Sequence, residues 1–479
     1  MIEKEKRWFA LYVLCAAELM IVLDTTIVNV ALPSIRTDLG FTETSLVWVV
    51  NAYVLTFGGF LLLGGRLGDL YGQRKVFLAG LALFTLASLA CGLAPSQSLL
   101  VGARAVQGLG GAVVSAIALS LIMNLFAEPG DRAKAMGIYG FVCAGGGSIG
   151  VLLGGLLTSA LSWHWVFLVN LPIGAAVYAL CAVLLPGRTQ RAPGHLDVAG
   201  AVTVTASLML AVYAIVNGNQ AGWTSARTAG LLGSAAALLA VFLAIEARVR
   251  HPLMPLGLFR VRSFAASSAI GMLWSAAMFA WFFISALYLQ LVLGYDAMQI
   301  GLAFLPANLI MAAFSLGLSA RIVMRFGIRL PLSLGLAFAA VGLALFALSP
   351  VGGSFAVHVL PGMVLLGIGC GMALNPVLLA AMSDVNPGDS GLASGVVNTS
   401  FMMGGALGLA VLASLAAAQT NFLLASGAAS PAALTGGYHV AFLAGAIFAA
   451  VAALLGAALL RAGQRSGAGK GAAVASARP

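Results

Sequence analysis

The chain has 479 residues, of which 61% are hydrophobic and only 8% are charged, and it contains 59 glycines. Soluble domains carry about three times this share of charged residues, so the composition excludes a soluble globular protein and indicates a polytopic membrane protein. The net charge of +10 is explained by basic residues that face an anionic membrane surface, so no nucleic acid is expected as a partner.

Apolar runs of about 18 or more residues, bounded by charged residues or by Pro and Gly clusters, predict fourteen membrane-spanning helices. The predicted spans are 10–32, 46–65, 76–94, 99–126, 135–160, 165–185, 197–216, 228–247, 265–291, 300–320, 330–349, 357–382, 391–417 and 438–460. All Lys and Arg residues except Arg36, Arg104 and Arg227 fall in the two termini or in loops predicted to lie on the same side of the membrane as the N-terminus. The positive-inside rule therefore predicts a multi-pass protein of the bacterial cytoplasmic (inner) membrane with both termini in the cytoplasm.

The first predicted span contains two carboxyl groups, at Glu18 and Asp24. A carboxylate in hydrocarbon costs about 2.5 kcal/mol or more, so Asp24 is expected to face the bundle interior or a water-filled path. Glu18 precedes it by nearly two turns, about 120° away around the helix. Two interpretations of Glu18 stay open. It is either a second proton or cation site that favours positively charged lipophilic substrates, or a hydrogen-bonded carboxyl group at a helix contact.

Other polar residues also lie inside predicted spans. Arg104 in span 4 is always charged and needs a partner or a wet cavity, and Gln107 lies one turn further on the same helical face. Amide side chains avoid lipid, which makes them candidates for a substrate cavity. The candidate cavity residues are Asn51 and Tyr53 in span 2, Gln107 in span 4, Gln290 in span 9 and Asn308 in span 10.

Two glycine-rich segments are predicted to let helices approach closely. The segment after span 2 is predicted to be a loop that combines glycines with one carboxylate and three basic groups, namely Gly65, Arg66, Gly68, Asp69, Gly72, Arg74 and Lys75. Span 5 contains small residues four apart, which permit close helix contact through dispersion packing. The helix-packing glycines singled out in this span are Gly150, Gly154 and Gly155.

Features of the first six spans recur in the last six. Basic loops follow spans 2 and 10, and glycine clusters occur in spans 4 and 12 and in spans 5 and 13. Transporter folds are often built from such repeated halves. The repeat predicts an all-α membrane protein with an N-terminal six-helix bundle at 1–190, two inserted linker helices at 191–262, a C-terminal six-helix bundle at 263–461 and a flexible cytoplasmic tail at 462–479.

Four stretches together resemble the fourteen-span drug:proton antiporters of the major facilitator superfamily. These are Asp24–Pro33, Gly65–Lys75, Arg104–Gly108 and Trp163–Gly174. The resemblance implies the major facilitator fold, an arginine at 104 that faces Asp24 for proton coupling, and a cytoplasmic gating loop at 65–75 that stabilises the outward-facing state. A fixed ion pair that only joins spans 1 and 4 is the alternative for Asp24 and Arg104.

The chain departs from the pattern of these antiporters at three places. Gly150 is followed by Val151 where proline is usual, His164 stands where arginine is usual, and Phe401–Met403 occupies a place where a polar or basic residue is common. The departure at Val151 favours an alternative, a lipid or metabolite transporter of the same fold that works by uniport or uptake.

The sequence therefore predicts a proton-coupled exporter of drugs or other amphipathic small molecules that works as a monomer by alternating access. Its expected partners are protons, a lipophilic substrate and membrane lipids. No P-loop pattern and no catalytic triad accompany the spans, so an ATP-driven pump or an enzyme is not expected. The five cysteines lack metal-ligand spacing, so neither a metal nor a cofactor is expected. A non-transporting membrane protein is a further, less favoured alternative.

Overall fold

The computed structural model describes residues 4–126, 128–185, 197–249, 252–314, 318–385 and 390–460. Helices account for most of these residues, as the composition predicts. The α-helices are α1 Lys4–Leu39, α2 Glu43–Tyr71, α3 Gln73–Gly92, α4 Gln97–Leu125, α5 Pro129–Ala160, α6 Trp165–Leu168, α7 Asn170–Leu184, α8 Val198–Ala221, α9 Ala226–Arg248, α10 Arg262–Leu291, α11 Ala297–Ala313, α12 Ser319–Phe326, α13 Arg329–Phe346, α14 Leu360–Met382, α15 Ser390–Ala425 and α16 Ser430–Leu459. A 3₁₀ helix, Leu256–Arg260, precedes α10, and a π-helical turn, Phe355–Val359, leads into α14.

Twelve helices among the described residues are long and apolar enough to cross a membrane. Two shorter apolar helices, Ile149–Ala160 and Ala297–Ala313, lie at predicted spans 5 and 10. The polytopic all-α architecture is thus confirmed, whereas the count of fourteen spans stays a prediction.

Several helices begin where a polar side chain satisfies one of their first backbone N–H groups. Thr42 and Asp296 form capping boxes at α2 and α11, and Ser96 and Asp197 cap α4 and α8. Such caps satisfy donors that the helix itself leaves unpaired. The apolar segments that follow keep their backbone hydrogen bonds internal, as a lipid environment requires.

The helices pack in two groups. Helices α1 to α7 contact one another and form the N-terminal bundle, and α10 to α16 form the C-terminal bundle. Helices α8 and α9 pair with each other, and α8 contacts both α2 and α15. The inserted pair therefore lies beside the junction of the two bundles. The predicted domain boundaries stay predictions, and the predicted tail at 462–479 lies outside the described residues.

The segment predicted as a loop at 65–75 is helical except at one residue, so its loop assignment is wrong. Helix α2 continues to Tyr71, and α3 starts at Gln73. Only Gly72 leaves the helical conformation, with a φ of +99° that favours glycine. The tight turn is possible there because glycine lacks a side chain, and the flanking glycines stay helical since a membrane helix keeps its backbone bonded.

The other residues of segment 65–75 surround this turn. A Cβ added at Gly68 would lie 3.0 Å from the Ile117 side chain, so this glycine allows α2 to approach α4 closely. Gly65 faces Ala116, also in α4, at an ordinary distance. The Arg74 guanidinium donates a hydrogen bond to the carbonyl of Ala182 in α7.

The remaining polar members of the segment are less fully described. Arg66 is half-buried and Lys75 is exposed. The Asp69 side chain lies outside the described part of the structure. The gating role predicted for this segment stays a prediction.

The glycines of α5 contact two different helices. A Cβ added at Gly154 would lie 2.7 Å from the carbonyl oxygen of Ile27, and Gly150 faces Leu23 and Thr26, also in α1. Gly155 instead faces α11, where an added Cβ would lie 2.8 Å from the carbonyl oxygen of Ala297. The glycine stripe therefore joins α5 to its own bundle and also to the other bundle.

Candidate functional site

The structure brings Asp24 and Arg104 together inside the N-terminal bundle. Asp24 lies midway along α1 with none of its surface exposed. One carboxylate oxygen, Oδ2, accepts a hydrogen bond from the Arg104 guanidinium. The other, Oδ1, accepts from Gln107 Nε2 at 2.7 Å and from Asn170 Nδ2 at 3.0 Å. Both oxygens are therefore held by donors from α4 and α7.

The Arg104 guanidinium makes several hydrogen bonds to the protein although the residue is only 1% exposed. Its Nε donates to the carbonyl of Val49 at 2.9 Å, and Nη1 donates to Gln107 Oε1 at 2.7 Å. The guanidinium also lies 4.3 Å from the centre of the Tyr53 ring, a cation–π contact. This planar fork fits several partners at once, which an ammonium group does not.

Two members of this network, Ser88 and Asn170, have no role assigned from the sequence. The Ser88 hydroxyl accepts from Gln107 Nε2 at 2.7 Å and from Asn170 Nδ2 at 3.3 Å. Asn170 stands in the family-like stretch Trp163–Gly174, and an amide inside a span is a usable signal. Ser88 gives no such signal. We refer to Asp24, Ser88, Arg104, Gln107 and Asn170 as the Asp24 network.

Within the described part of the chain, the three side chains that bond to the Asp24 carboxylate all act as donors. Such an arrangement suits the ionised carboxylate, which is acceptor-only, and leaves no acceptor for the O–H of a protonated carboxyl group. These donors belong to α4 and α7, so the Asp24 side chain joins α1 to both helices.

Glu18 occupies a separate site next to the Asp24 network. It is 5% exposed, and its Oε1 accepts a hydrogen bond from the Ser115 hydroxyl of α4 at 2.9 Å. Its Oε2 has no partner among the described residues. Tyr53, whose ring packs on Arg104, is close enough to Glu18 for electrostatic interaction as well. The two carboxyl groups of α1 are thus distinct sites with a shared aromatic neighbour.

The predicted cavity residues lie on four helices, and their shared role in substrate binding stays a prediction. Gln107 belongs to the Asp24 network and Tyr53 packs on Arg104. Asn51 joins the two bundles, since its Nδ2 donates to the carbonyl of Ala406 in α15 at 2.8 Å. Asn308 of α11 is 5% exposed, and Gln290 is half-buried near the end of α10.

Several of these side chains keep a buried polar atom without a partner among the described residues. These atoms are Asn51 Oδ1, the Tyr53 hydroxyl, Gln290 Oε1 and Asn308 Nδ2. Buried polar groups are normally hydrogen-bonded, so such atoms are available to water or to a polar group of a ligand. Within the described ranges, no group of three or more His, Cys, Asp or Glu is placed to hold a metal ion.

Comparison with known proteins identifies the family of this chain. Residues 14–409 match the family model described as the Major Facilitator Superfamily. The chain belongs to the major facilitator superfamily. This membership confirms the resemblance and identifies a multi-pass membrane transporter rather than an enzyme.

Curated relatives and solved structures extend the match to nearly the whole chain. A puromycin resistance protein of Streptomyces alboniger is 39% identical over 95% of this chain and 90% of its own length. A cephamycin export protein of Amycolatopsis lactamdurans is 40% identical over 93% and 91%, and a lincomycin resistance protein of Streptomyces lincolnensis is 36% identical over 85% and 84%. A bacterial homologue of the lysosomal transporter Spinster shares the fold, with a TM-score of 0.64 at 17% identity over 95% of this chain and 97% of its own.

Proposed function

We propose that this transporter exports amphipathic, antibiotic-like molecules from the cytoplasm in exchange for protons. The observation that carries the proposal is the buried Asp24 network, in which a carboxylate and a guanidinium meet inside a membrane-spanning bundle. Relatives described as puromycin and lincomycin resistance proteins and as a cephamycin export protein support the class of substrate.

The proposed cycle alternates between two states of Asp24. A proton that reaches Asp24 from outside neutralises the carboxylate and releases Arg104, so that α4 and α7 move and the bundles open toward the cytoplasm. Loss of the proton inside restores the pairing seen here. One proton is worth about 2.3 kcal/mol per 100 mV of membrane potential, enough to drive roughly a tenfold substrate gradient or more.

The substrate is proposed to bind between the bundles, near Glu18, Asn51 and Asn308. Glu18 is a carboxyl group with one unpartnered oxygen, and the two amides each keep an unpartnered atom within the described part of the chain. A carboxylate in such a position favours cationic amphiphiles through charge pairing. Replacing Glu18 with glutamine is therefore expected to weaken export of cations more than export of neutral compounds.

The test uses purified protein in liposomes with an imposed pH gradient and a pH-sensitive dye inside. Puromycin, lincomycin and a neutral amphiphile are added in turn. Substrate-dependent proton movement is expected for the unaltered protein and is expected to disappear in Asp24→Asn, which removes the charge but keeps the size of the side chain. An exposed control, Glu5→Gln, should transport normally.

The outcome that would overturn the proposal is transport that persists in Asp24→Asn at an unchanged rate. Proton movement without any added compound would also contradict exchange, because it would indicate a leak. If Glu18→Gln weakens export of cationic and neutral compounds equally, Glu18 has a packing role and does not select cations.

A second candidate function, uptake or uniport by the same fold, is favoured by Val151. The structure buries this residue at the crossing of α5 and α11, where a Cβ added at Gly301 would lie 3.0 Å from its carbonyl oxygen. Valine keeps the backbone N–H that proline lacks, and α5 runs unbroken from Pro129 to Ala160. Transport that equilibrates a compound without moving protons would favour this candidate.

A further inference from the structure

Two further buried carboxyl groups meet where the inserted helices begin and end, on the side predicted to be cytoplasmic. Asp197 caps α8 and is 6% exposed, and its Oδ1 accepts a hydrogen bond from the backbone N–H of Gly200 at 2.8 Å. Glu246 lies in the last turn of α9 and is 3% exposed. Its Oε2 accepts from the backbone N–H of Met254 at 3.0 Å. Each carboxyl group thus has one oxygen that is already satisfied.

The two remaining oxygens face each other. Asp197 Oδ2 and Glu246 Oε1 are buried and have no donor among the described residues. A Cβ added at Gly200 would lie 2.5 Å from the first and 2.8 Å from the second, so both oxygens lie against the same side of this glycine. The two carboxyl groups are therefore neighbours, close enough to repel each other when both are ionised. Two acceptors in contact form a hydrogen bond only if a proton lies between them.

The helices and segments that pack around this pair carry few other charges. Helix α8 contains no further charged residue, and Arg248 at the end of α9 is exposed. Arg260 of the following segment is exposed as well, and α2 carries Arg66 and Asp69 in its last turns. Arg250 and His251 lie outside the described residues. No basic side chain among the described residues bonds to the free oxygens of the pair.

Two neighbouring carboxylates that are shielded from water repel each other strongly. Their repulsion, together with the cost of burying two charges, favours a state in which one proton is shared. Such a pair titrates as a unit, as in other sites where two carboxyl groups hold one proton.

The pair also anchors a segment that touches both bundles. Met254, which donates to Glu246, is next to Leu253, and Leu253 packs with Leu63 of α2 and Ala201 of α8. Further along the same segment, Leu258 packs with α10 and α15 of the C-terminal bundle. The segment 252–258 therefore bridges the edges of the two bundles, and Glu246 fixes its backbone there.

We propose that Asp197 and Glu246 form a second proton-binding site, which holds one shared proton and fixes the segment 252–258 between the two bundles. Loss of this proton leaves two adjacent carboxylates, whose repulsion separates α8 from α9 and loosens the segment. Closure of this edge of the transporter then responds to the pH on this side of the membrane. The site is separate from the Asp24 network, and the proposal does not depend on proton exchange.

The test compares the thermal unfolding of variants of the full chain in lipid nanodiscs as the pH is raised from neutral to alkaline values. The melting temperature of the unaltered protein is expected to fall, because the folded state holds a proton that the medium removes. Glu246→Gln is expected to abolish most of this fall, since the amide donates to Asp197 permanently. The melting temperature of the exposed control Glu5→Gln should fall in parallel with that of the unaltered protein.

A second variant distinguishes loss of the shared proton from a folding defect. Asp197→Asn keeps the helix cap, because asparagine is also a good N-cap residue, and it should likewise flatten the pH dependence. Infrared spectra should show a protonated carboxyl band that is lost in both variants and retained in Asp24→Asn. Parallel curves for Glu246→Gln and the unaltered protein would overturn the proposal.

A bridging cation is the remaining outcome to separate. If sodium or magnesium raises the melting temperature of the unaltered protein at alkaline pH but not that of Glu246→Gln, the pair binds a metal cation and the proton assignment is wrong. Unfolding needs neither substrate nor a gradient. A failed transport assay and a failed unfolding assay are therefore distinguishable.

Discussion

At the scale of single residues, the decisive feature of Arg104 is the number of groups that its side chain contacts. The guanidinium donates to Asp24, to Gln107 and to the carbonyl of Val49, and it also packs on the Tyr53 ring. An ammonium group has the same charge but lacks the planar fork. The geometry, and not the charge alone, holds α1, α2 and α4 in register.

The first prediction is that Arg104→Lys abolishes transport even though it conserves the charge. Lysine cannot donate to Asp24, Gln107 and Val49 together, so at least one buried acceptor loses its donor, at a cost of about 1–3 kcal/mol. Substrate-dependent proton movement in liposomes is the measurement, with membrane insertion checked separately. Transport within twofold of the unaltered protein, roughly 0.4 kcal/mol, would show that charge is sufficient.

A second prediction concerns Asn170, which donates to both Asp24 and Ser88. Asn170→Ala leaves Asp24 with one donor fewer and is expected to slow transport roughly tenfold, the equivalent of about 1.4 kcal/mol. The matched control is Asn217→Ala on α8, where the amide donates to the carbonyl of Tyr213 in its own helix. Similar losses in both variants would contradict a special role for Asn170.

The sequence indicates some members of the Asp24 network better than others. A carboxylate and a guanidinium inside apolar spans are each costly alone, so their presence at 24 and 104 is itself a reason to expect that each has a buried partner. Ser88 is different, because hydroxyl groups in membrane helices commonly bond their own backbone, as Thr85 does to the carbonyl of Leu81. Only the packing of α3 against α4 and α7 shows that Ser88 accepts from two amides.

At the scale of helices, the close approach of α1 and α5 depends on glycine. A Cβ added at Gly154 would lie 2.7 Å from the carbonyl oxygen of Ile27, closer than real side chains approach backbone. The third prediction is that Gly154→Ala destabilises the protein by about 1–3 kcal/mol, because the helices must separate. Thermal unfolding in nanodiscs measures this change.

The control for Gly154 is Gly230 in α9, where an added Cβ would meet no atom within 4 Å. Gly230→Ala is expected to be neutral or to stabilise by up to about 1 kcal/mol, since alanine is the better helix former. Equal destabilisation by both substitutions would show that helix packing is not the cause.

Helix boundaries are less predictable than helix positions. Glycine and charge at 65–75 are typical of a loop in water, but α2 continues through this segment and the break is confined to Gly72. The reason is that backbone groups near the membrane are satisfied most simply by continuing the helix. A pattern of residue types does not reveal which of several glycines adopts a positive φ.

At the scale of the whole molecule, the sequence repeat indicates two similar halves but not how the inserted helices join them. Thr205 of α8 faces Gly59 of α2 in one bundle, and Asn219 donates to the carbonyl of Ser414 in the other at 2.7 Å. No short-range pattern encodes a contact between residues so distant in sequence. Helix α8 thus contacts both bundles at different heights.

The bundles also meet directly where α5 crosses α11. A Cβ added at Gly155 would lie 3.2 Å from the Cα of Met298, so cysteines at these two positions are close enough for a disulfide. The fourth prediction is that the double variant Gly155→Cys, Met298→Cys loses transport on oxidation and regains it on reduction. In the proposed cycle, alternating access requires the two bundles to separate where α5 crosses α11, and a covalent bond between these helices prevents this movement.

Single-cysteine variants at 155 and 298 serve as controls, and the four described native cysteines, Cys15, Cys91, Cys181 and Cys370, are all buried. The Cβ added at Gly155 itself crowds Ala297, so each variant is compared with itself before and after oxidation. Oxidation should leave the transport rate of each single variant unchanged, because only the pair can join α5 to α11. If the oxidised double variant transports normally although cross-linking is complete, the α5–α11 contact stays closed throughout the cycle. Movement would then have to occur elsewhere, and the crossing of α2 and α15, where Asn51 donates to Ala406, would be the next place to cross-link.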